Sequence, residues 1–207
     1  MRSRFVALRV QPALALPRAE HRTLVGRAVN SPTSRRASLC RRCAEHAVSR
    51  IRSGPWLADP ELVFAVSFAI VWSEAATAHA RTLRERPADL GRDVRERLAL
   101  GGAISARTYL AARREREMLR GALMNLLDEF DVTVGPTVPV VAPTREQAAD
   151  PAVRGRLARN PRLANIVGLP AISVPIPGDG LPVGLQVLAR TDGAALSAAE
   201  LVSACLR

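Results

Sequence analysis

The sequence predicts an α/β protein in which helices lie against a sheet, and three observations carry that prediction. Apolar residues recur with helical spacing between residues 59 and 130, the spacing switches to strand-like alternation at Val132, and two strand-like runs near the C-terminus flank a turn. A chain that spends helices first and then mixes strands with helices buries its apolar faces by layering the two.

Each element has its own signals. Asp59-Pro60-Glu61 combines an N-cap side chain, a proline at the first helical position and an acid in the first turn. The helix it opens is apolar on nearly all sides through Trp72, which predicts a buried helix continuing to about Arg84, ahead of Pro87. A shorter helix is expected over residues 90–100, closed by Gly101-Gly102. Ser105 can cap a long third helix carrying Leu119, Leu123, Leu126, Leu127 and Phe130 as one apolar stripe. Val132-Thr133-Val134 reads as a short strand ended by Gly135-Pro136. Pro136, Pro139 and Pro143 then hold the chain extended, and residues 144–159 form a polar, exposed, partly helical arm. Residues 171–175 and 183–189 alternate as strands, with Ile172 and Val174 on one face and Val183, Leu185 and Val187 on one face. Pro177-Gly178-Asp179-Gly180 between them predicts a hairpin. Residues 194–206 form a last amphipathic helix.

The formal net charge of +11 over 207 residues is unevenly placed. Residues 1–52 hold 12 arginines against Glu20 and Glu45, a balance of +10, and residues 53–207 are nearly neutral at +1. With Pro12, Pro17 and Pro32 interrupting it, the first segment predicts a basic, disordered leader (residues 1–52), marginally helical near 39–51. Residues 53–207 form the folded domain. The leader's arginine-rich, acid-poor composition is also that of an organelle transit peptide, or of a segment contacting phosphates on nucleic acid. Only Phe5 is aromatic within it, so specific nucleic-acid recognition is not expected. The apolar run at residues 62–72 is shorter than the roughly 20 residues that span a bilayer, which favours a cytoplasmic protein without membrane partners.

All 30 basic residues are arginine. A GC-rich coding sequence accounts for this, and its chemical consequence is plain: no lysine is available as a general base or Schiff base. Cys40, Cys43, His46 and His21 include a Cys-x-x-Cys half, but His46 follows too closely for a zinc knuckle and no metal is expected. His79 has Glu74 five residues before it, a poor helical alignment, and reads as a packing or surface residue rather than part of a triad.

Four segments in order are more specific: residues 95–117 (RERLALGGAISARTYLAARRERE), Glu129–Pro143 (EFDVTVGPTVPVVAP), Asn165–Pro175 (NIVGLPAISVP) and Gly180–Ala189 (GLPVGLQVLA). Together they resemble the C-terminal portion of the amidase signature family over roughly residues 55–207. The resemblance implies the C-terminal part of a mixed β-sheet flanked by helices, incomplete in this chain, and hydrolysis of an amide C–N bond without a cofactor. In that family a serine nucleophile passes its proton through a second serine to a lysine, and backbone N–H groups of a glycine/serine-rich loop hold the oxyanion. All three catalytic residues belong to the N-terminal half of the fold. Ser31, Ser34 and Ser38 lack the accompanying glycines, so no catalytic residue is assigned.

The resemblance does imply a substrate-facing stretch before the Asn-x-x-Gly-Leu-Pro motif. Ala158, Arg162 and Asn165 fall at i, i+4 and i+7 there, on one helical face. The similar transfer-RNA amidotransferases carry an aspartate where this chain has Ala158, which favours a general amidase. Such a chain would take a small amide substrate only when completed by the other half, would be inactive alone, and would expose surface prone to self-association. The rival expectation is a non-enzymatic binding protein, an amidase remnant used as scaffold for a leader that contacts nucleic acid.

Overall fold

The computed structural model describes residues 4–10, 48–55 and 58–206. The chain divides into two compact units, Met1–Leu57 with Ala122–Arg207, and Ala58–Gly121.

The Ala58–Gly121 unit is helical. Helix α1 (Pro60–Ala78) starts as its sequence dictates, with the Asp59 carboxylate accepting from the Glu61 N–H at 3.2 Å. It ends at His79 (φ −100°, ψ 10°), short of the expected Arg84, and a separate α2 (Ala80–Glu85) follows. After a 3₁₀ turn at Pro87–Asp89 comes α3 (Arg92–Gly102), which packs on α1. Gly101 and Gly102 lie inside α3 rather than closing it, and close packing is the reason: a Cβ on Gly101 would overlap the backbone carbonyl of Trp72. The Arg97 guanidinium sits 5.5 Å from the Trp72 ring centroid. Ser105 accepts from the Thr108 N–H at 3.1 Å and opens α4 (Ala106–Glu129), as expected.

The expectation that α1 is a buried helix is not met. Val63, Val66, Ala69 and Ile70 are buried, while Phe64 is 43% and Val71 47% exposed. Periodicity reports that a helix is apolar all round. It does not report whether the chain supplies enough neighbours to cover every side.

The second unit holds the sheet. Its strands are β1 (Arg4–Val10), β2 (Val48–Pro55), β3 (Val132–Pro136), β4 (Ala171–Ile176) and β5 (Val183–Ala189), in the order β2-β1-β3-β5-β4. The α/β class and the hairpin of β4 with β5 stand as expected. Every pairing among the described residues is antiparallel, so the parallel pairs of a mixed sheet are not among them. Two strands, β1 and β2, occupy positions 4–10 and 48–55, within and just beyond the segment expected to be a disordered leader. Residues 48–51 are strand where a marginal helix was expected, and the other leader positions, with Cys40, Cys43, His46 and His21, lie outside the described residues.

One sheet face carries Val132, Val134, Val174, Leu185, Val187 and Ala189, covered by Ala195, Ala198, Ala199 and Val202 of α8 (Asp192–Leu206). Strand alternation puts these on one side, and the small alanines let the helix approach closely. Three short helices, α5 (Arg145–Ala148), α6 (Pro151–Leu157) and α7 (Pro161–Val167), form the polar arm and its continuation. Thr144 and Gln147 cap α5 reciprocally.

Candidate functional site

The sheet face opposite α8 is the one that carries polar groups. Gly135 pairs with Gln186, and Gln186 with Ser173, in one register row across β3, β5 and β4. Just past β3, the Thr137 N–H donates to the Gly184 carbonyl at 2.8 Å, and the Thr137 and Ser173 hydroxyls share a hydrogen bond of 2.6 Å. That bond crosses over β5, and only glycine at 184 leaves room: a Cβ there would overlap the Ser173 Oγ and lie 2.8 Å from the Thr137 Oγ1.

Asn160 anchors the same end of β3. It is 1% exposed, and its Nδ2 donates to the Pro136 carbonyl at 2.8 Å. That bond fixes the amide's orientation, leaving Oδ1 buried without a hydrogen-bond partner among the described residues. Nearer the middle of the face, Phe5, Thr133, Leu163, Gln186 and Leu188 surround a cavity of about 20 Å³. Such a volume holds one water molecule and no amide substrate. Around this cavity the described residues make a wall.

Chemically, the wall can donate and accept hydrogen bonds through the Thr137 and Ser173 hydroxyls and the Gln186 amide. A hydroxyl beside another hydroxyl has no base to take its proton at neutral pH, and the chain has no lysine to supply one. Among the described residues no cluster of His, Cys, Asp and Glu could hold a metal ion. His79 is exposed, and Glu74 accepts from the Tyr109 hydroxyl at 2.8 Å instead of pairing with it.

The three substrate-side candidates do not share one helix. Ala158 is the C-cap of α6 and half-buried, whereas Arg162 (half-buried) and Asn165 (exposed) belong to α7. Pro161 interrupts the path because it has no N–H to offer the preceding turn. The Arg162 N–H still reaches the Ala158 carbonyl at 3.2 Å, so those two keep helical spacing across the break. Asn160, which sequence reasoning passed over, lies between them and is the buried one. Its signal was the Asn-Pro step at a helix start.

The Gly-Leu-Pro motif has a structural account. Gly168 is left-handed (φ 64°, ψ 43°) and ends α7, with the Leu169 N–H returning to the Ala164 carbonyl at 3.3 Å. Leu169 is buried, and the Pro170 carbonyl accepts from the Ala189 N–H at 3.1 Å, which starts the β4–β5 pairing.

This layering of helices on an antiparallel sheet, with the motif at its turning point, is that of an amidase fold. The amidase family profile matches residues 16–193, and the chain belongs to that family. It is similar to an amidase of Pseudomonas putida (30% identity over 122 residues, 56% of this chain and 26% of that protein). It is also similar to a fatty acid amide hydrolase of Medicago truncatula (39% over 109 residues, 49% of this chain and 18% of that protein). A glutamyl-tRNA(Gln) amidotransferase polypeptide of Archaeoglobus fulgidus is 36% identical over 109 residues, 50% of this chain and 24% of that protein. Among solved structures, a crystal structure of an amidase superposes with a TM-score of 0.63 at 30% identity, covering 72% of this chain and 36% of that one. The chain thus spans about a quarter or less of the length of these curated relatives.

Proposed function

We propose that this chain forms the substrate-side wall of an amidase-type hydrolase and that cleavage of the amide C–N bond requires a serine–serine–lysine set supplied from outside it. The observation that carries this reading is the pairing of an amidase-family sheet with a sequence that contains no lysine. In the proposed division of labour the absent part provides nucleophile, base and oxyanion donors. This chain provides the sheet wall together with Ala158, Arg162 and Asn165 from α6 and α7, which meet the substrate. Alanine at 158, where the transfer-RNA amidotransferases carry an aspartate, favours a general small-amide substrate over glutamine.

The test is ammonia release by the purified chain from simple aliphatic and aromatic amides. The expected rate equals the blank. Turnover that disappears on substituting a residue within 53–207, for instance Ser173→Ala, would overturn the proposal.

A further inference from the structure

We infer that the cavity over Gly135 is a hydration site, in which one water molecule bridges the side chains of Thr133 and Gln186 beneath α7. The inference does not depend on where the catalytic residues come from.

The site is built by register. Ala7 pairs with Thr133 and Gly135 with Gln186, so strand alternation points Phe5, Thr133, Gly135, Gln186 and Leu188 to one side of the sheet. Leu163, from α7, completes the lining of the cavity of about 20 Å³ that lies among them. Glycine at 135 leaves this space. A glycine inside a strand marks a bulge, a bend or a close approach by another group. Here the β3–β5 register runs unbroken from Val132 to Pro136, and the one positive φ among the described residues is that of Gly168. Neither a bulge nor a left-handed backbone therefore requires glycine at 135, and the space above it is what remains.

The occupant follows from size and chemistry. Thr133 is 6% and Gln186 9% exposed, and neither side chain has a hydrogen bond among the described residues. Their polar atoms are not sealed as Ser73 Oγ and Asn160 Oδ1 are, so they open onto the space they line. A buried hydroxyl and amide left without partners are costly, and one water can serve both. The Gln186 amide offers donors and an acceptor and the Thr133 hydroxyl either, which meets the water's need for two or more polar partners. No charged side chain lines the cavity, which argues against an ion, and the volume admits nothing larger than water. Bound there, the water lets α7, which carries Arg162 and Asn165, close over the sheet through Leu163 without burying an unpaired amide.

The test is NMR of the full chain, isotope-labelled and kept at low salt. Water cross-peaks to the Gln186 side-chain amide should carry the sign of a long-lived bound molecule rather than that of bulk solvent. Thr133→Val keeps the size of the side chain and removes one partner, and should weaken them. Gly135→Ala, whose methyl takes the space, should abolish them. Thr137→Val, elsewhere on the same wall, should leave them unchanged. Absence of these cross-peaks in the unsubstituted chain means a dry cavity and overturns the inference. Cross-peaks of full strength in Thr133→Val or in a folded Gly135→Ala chain overturn it too, as does their loss in Thr137→Val, since each places the water elsewhere. Should Gly135→Ala not fold, Thr133→Val decides alone.

Discussion

Single residues show how tightly this fold is specified where backbones meet. At Gly101 any side chain would strike the Trp72 carbonyl, and backbone cannot move aside as the end of a long side chain can. Gly101→Ala should therefore cost about 3 kcal/mol, seen as a lowered thermal midpoint. Gly102→Ala, whose Cβ would meet only Ala76 at 4.0 Å, should be neutral or better in that same measurement. Asp59→Ala removes the cap of α1 and should cost about 1 kcal/mol. Glu146 gives a pH signature. The bond its carboxylate accepts from its own backbone N–H, and then the Thr144 hydroxyl, holds its carboxyl below the usual glutamate range. The stability this gives is present above the unfolded-state value and is lost as the pH falls through the folded one. An NMR titration of Glu146 should thus have its midpoint below that of a glutamate in the unfolded chain, and Thr144→Val should raise it.

At the scale of elements, the sequence announced those with local chemistry and missed those defined by distant partners. The caps of α1 and α4, the stripe of α4 through Leu123, Leu126 and Leu127, and the β4–β5 hairpin were all legible, because each signal lies within a few residues. β1 and β2 were not. Arg4–Val10 interleaves arginine with apolar residues, and its strand character rests on pairing with β3, more than a hundred residues away. The polar wall was half legible: its residues sit in the quoted motifs, but the Thr137–Ser173 bond depends on three strands meeting. Deep in the same sheet, Leu185 is fully buried beneath α8, and Leu185→Ala should lower stability by about 3 kcal/mol, whereas Leu185→Met should cost under about 1.5. For β1, lying between β2 and β3, slow amide exchange at residues 6–8 is the expected result. Exchange there at the free-chain rate would place the sheet's edge at β3.

For the whole molecule, two opposed forces govern behaviour in solution. Attraction comes from exposed apolar surface and an outer strand: the α1 ridge at Phe64 and Val71, exposed Leu181 and Leu196, and β4, which among the described strands has a neighbour only in β5. An outer strand presents backbone donors and acceptors to any other chain, although Pro175 blunts this one by lacking an N–H. Repulsion comes from the net charge of +11, most of it carried by the first 52 residues. Charge repulsion acts over a Debye length of about 30 Å at 0.01 M salt and about 10 Å at 0.1 M, whereas apolar contact does not weaken with salt. Self-association of the isolated chain should therefore increase with ionic strength, the reverse of what a charge-driven contact shows. It should also grow with concentration without settling at a fixed stoichiometry, since edge and ridge are different surfaces and a contact between unlike surfaces need not close. Light scattering across a salt series at constant protein concentration measures this directly. A monodisperse monomer at every salt concentration would mean that the chain covers its own apolar surface, and assembly that dissolves as salt is added would mean that its arginines, not its uncovered faces, drive it.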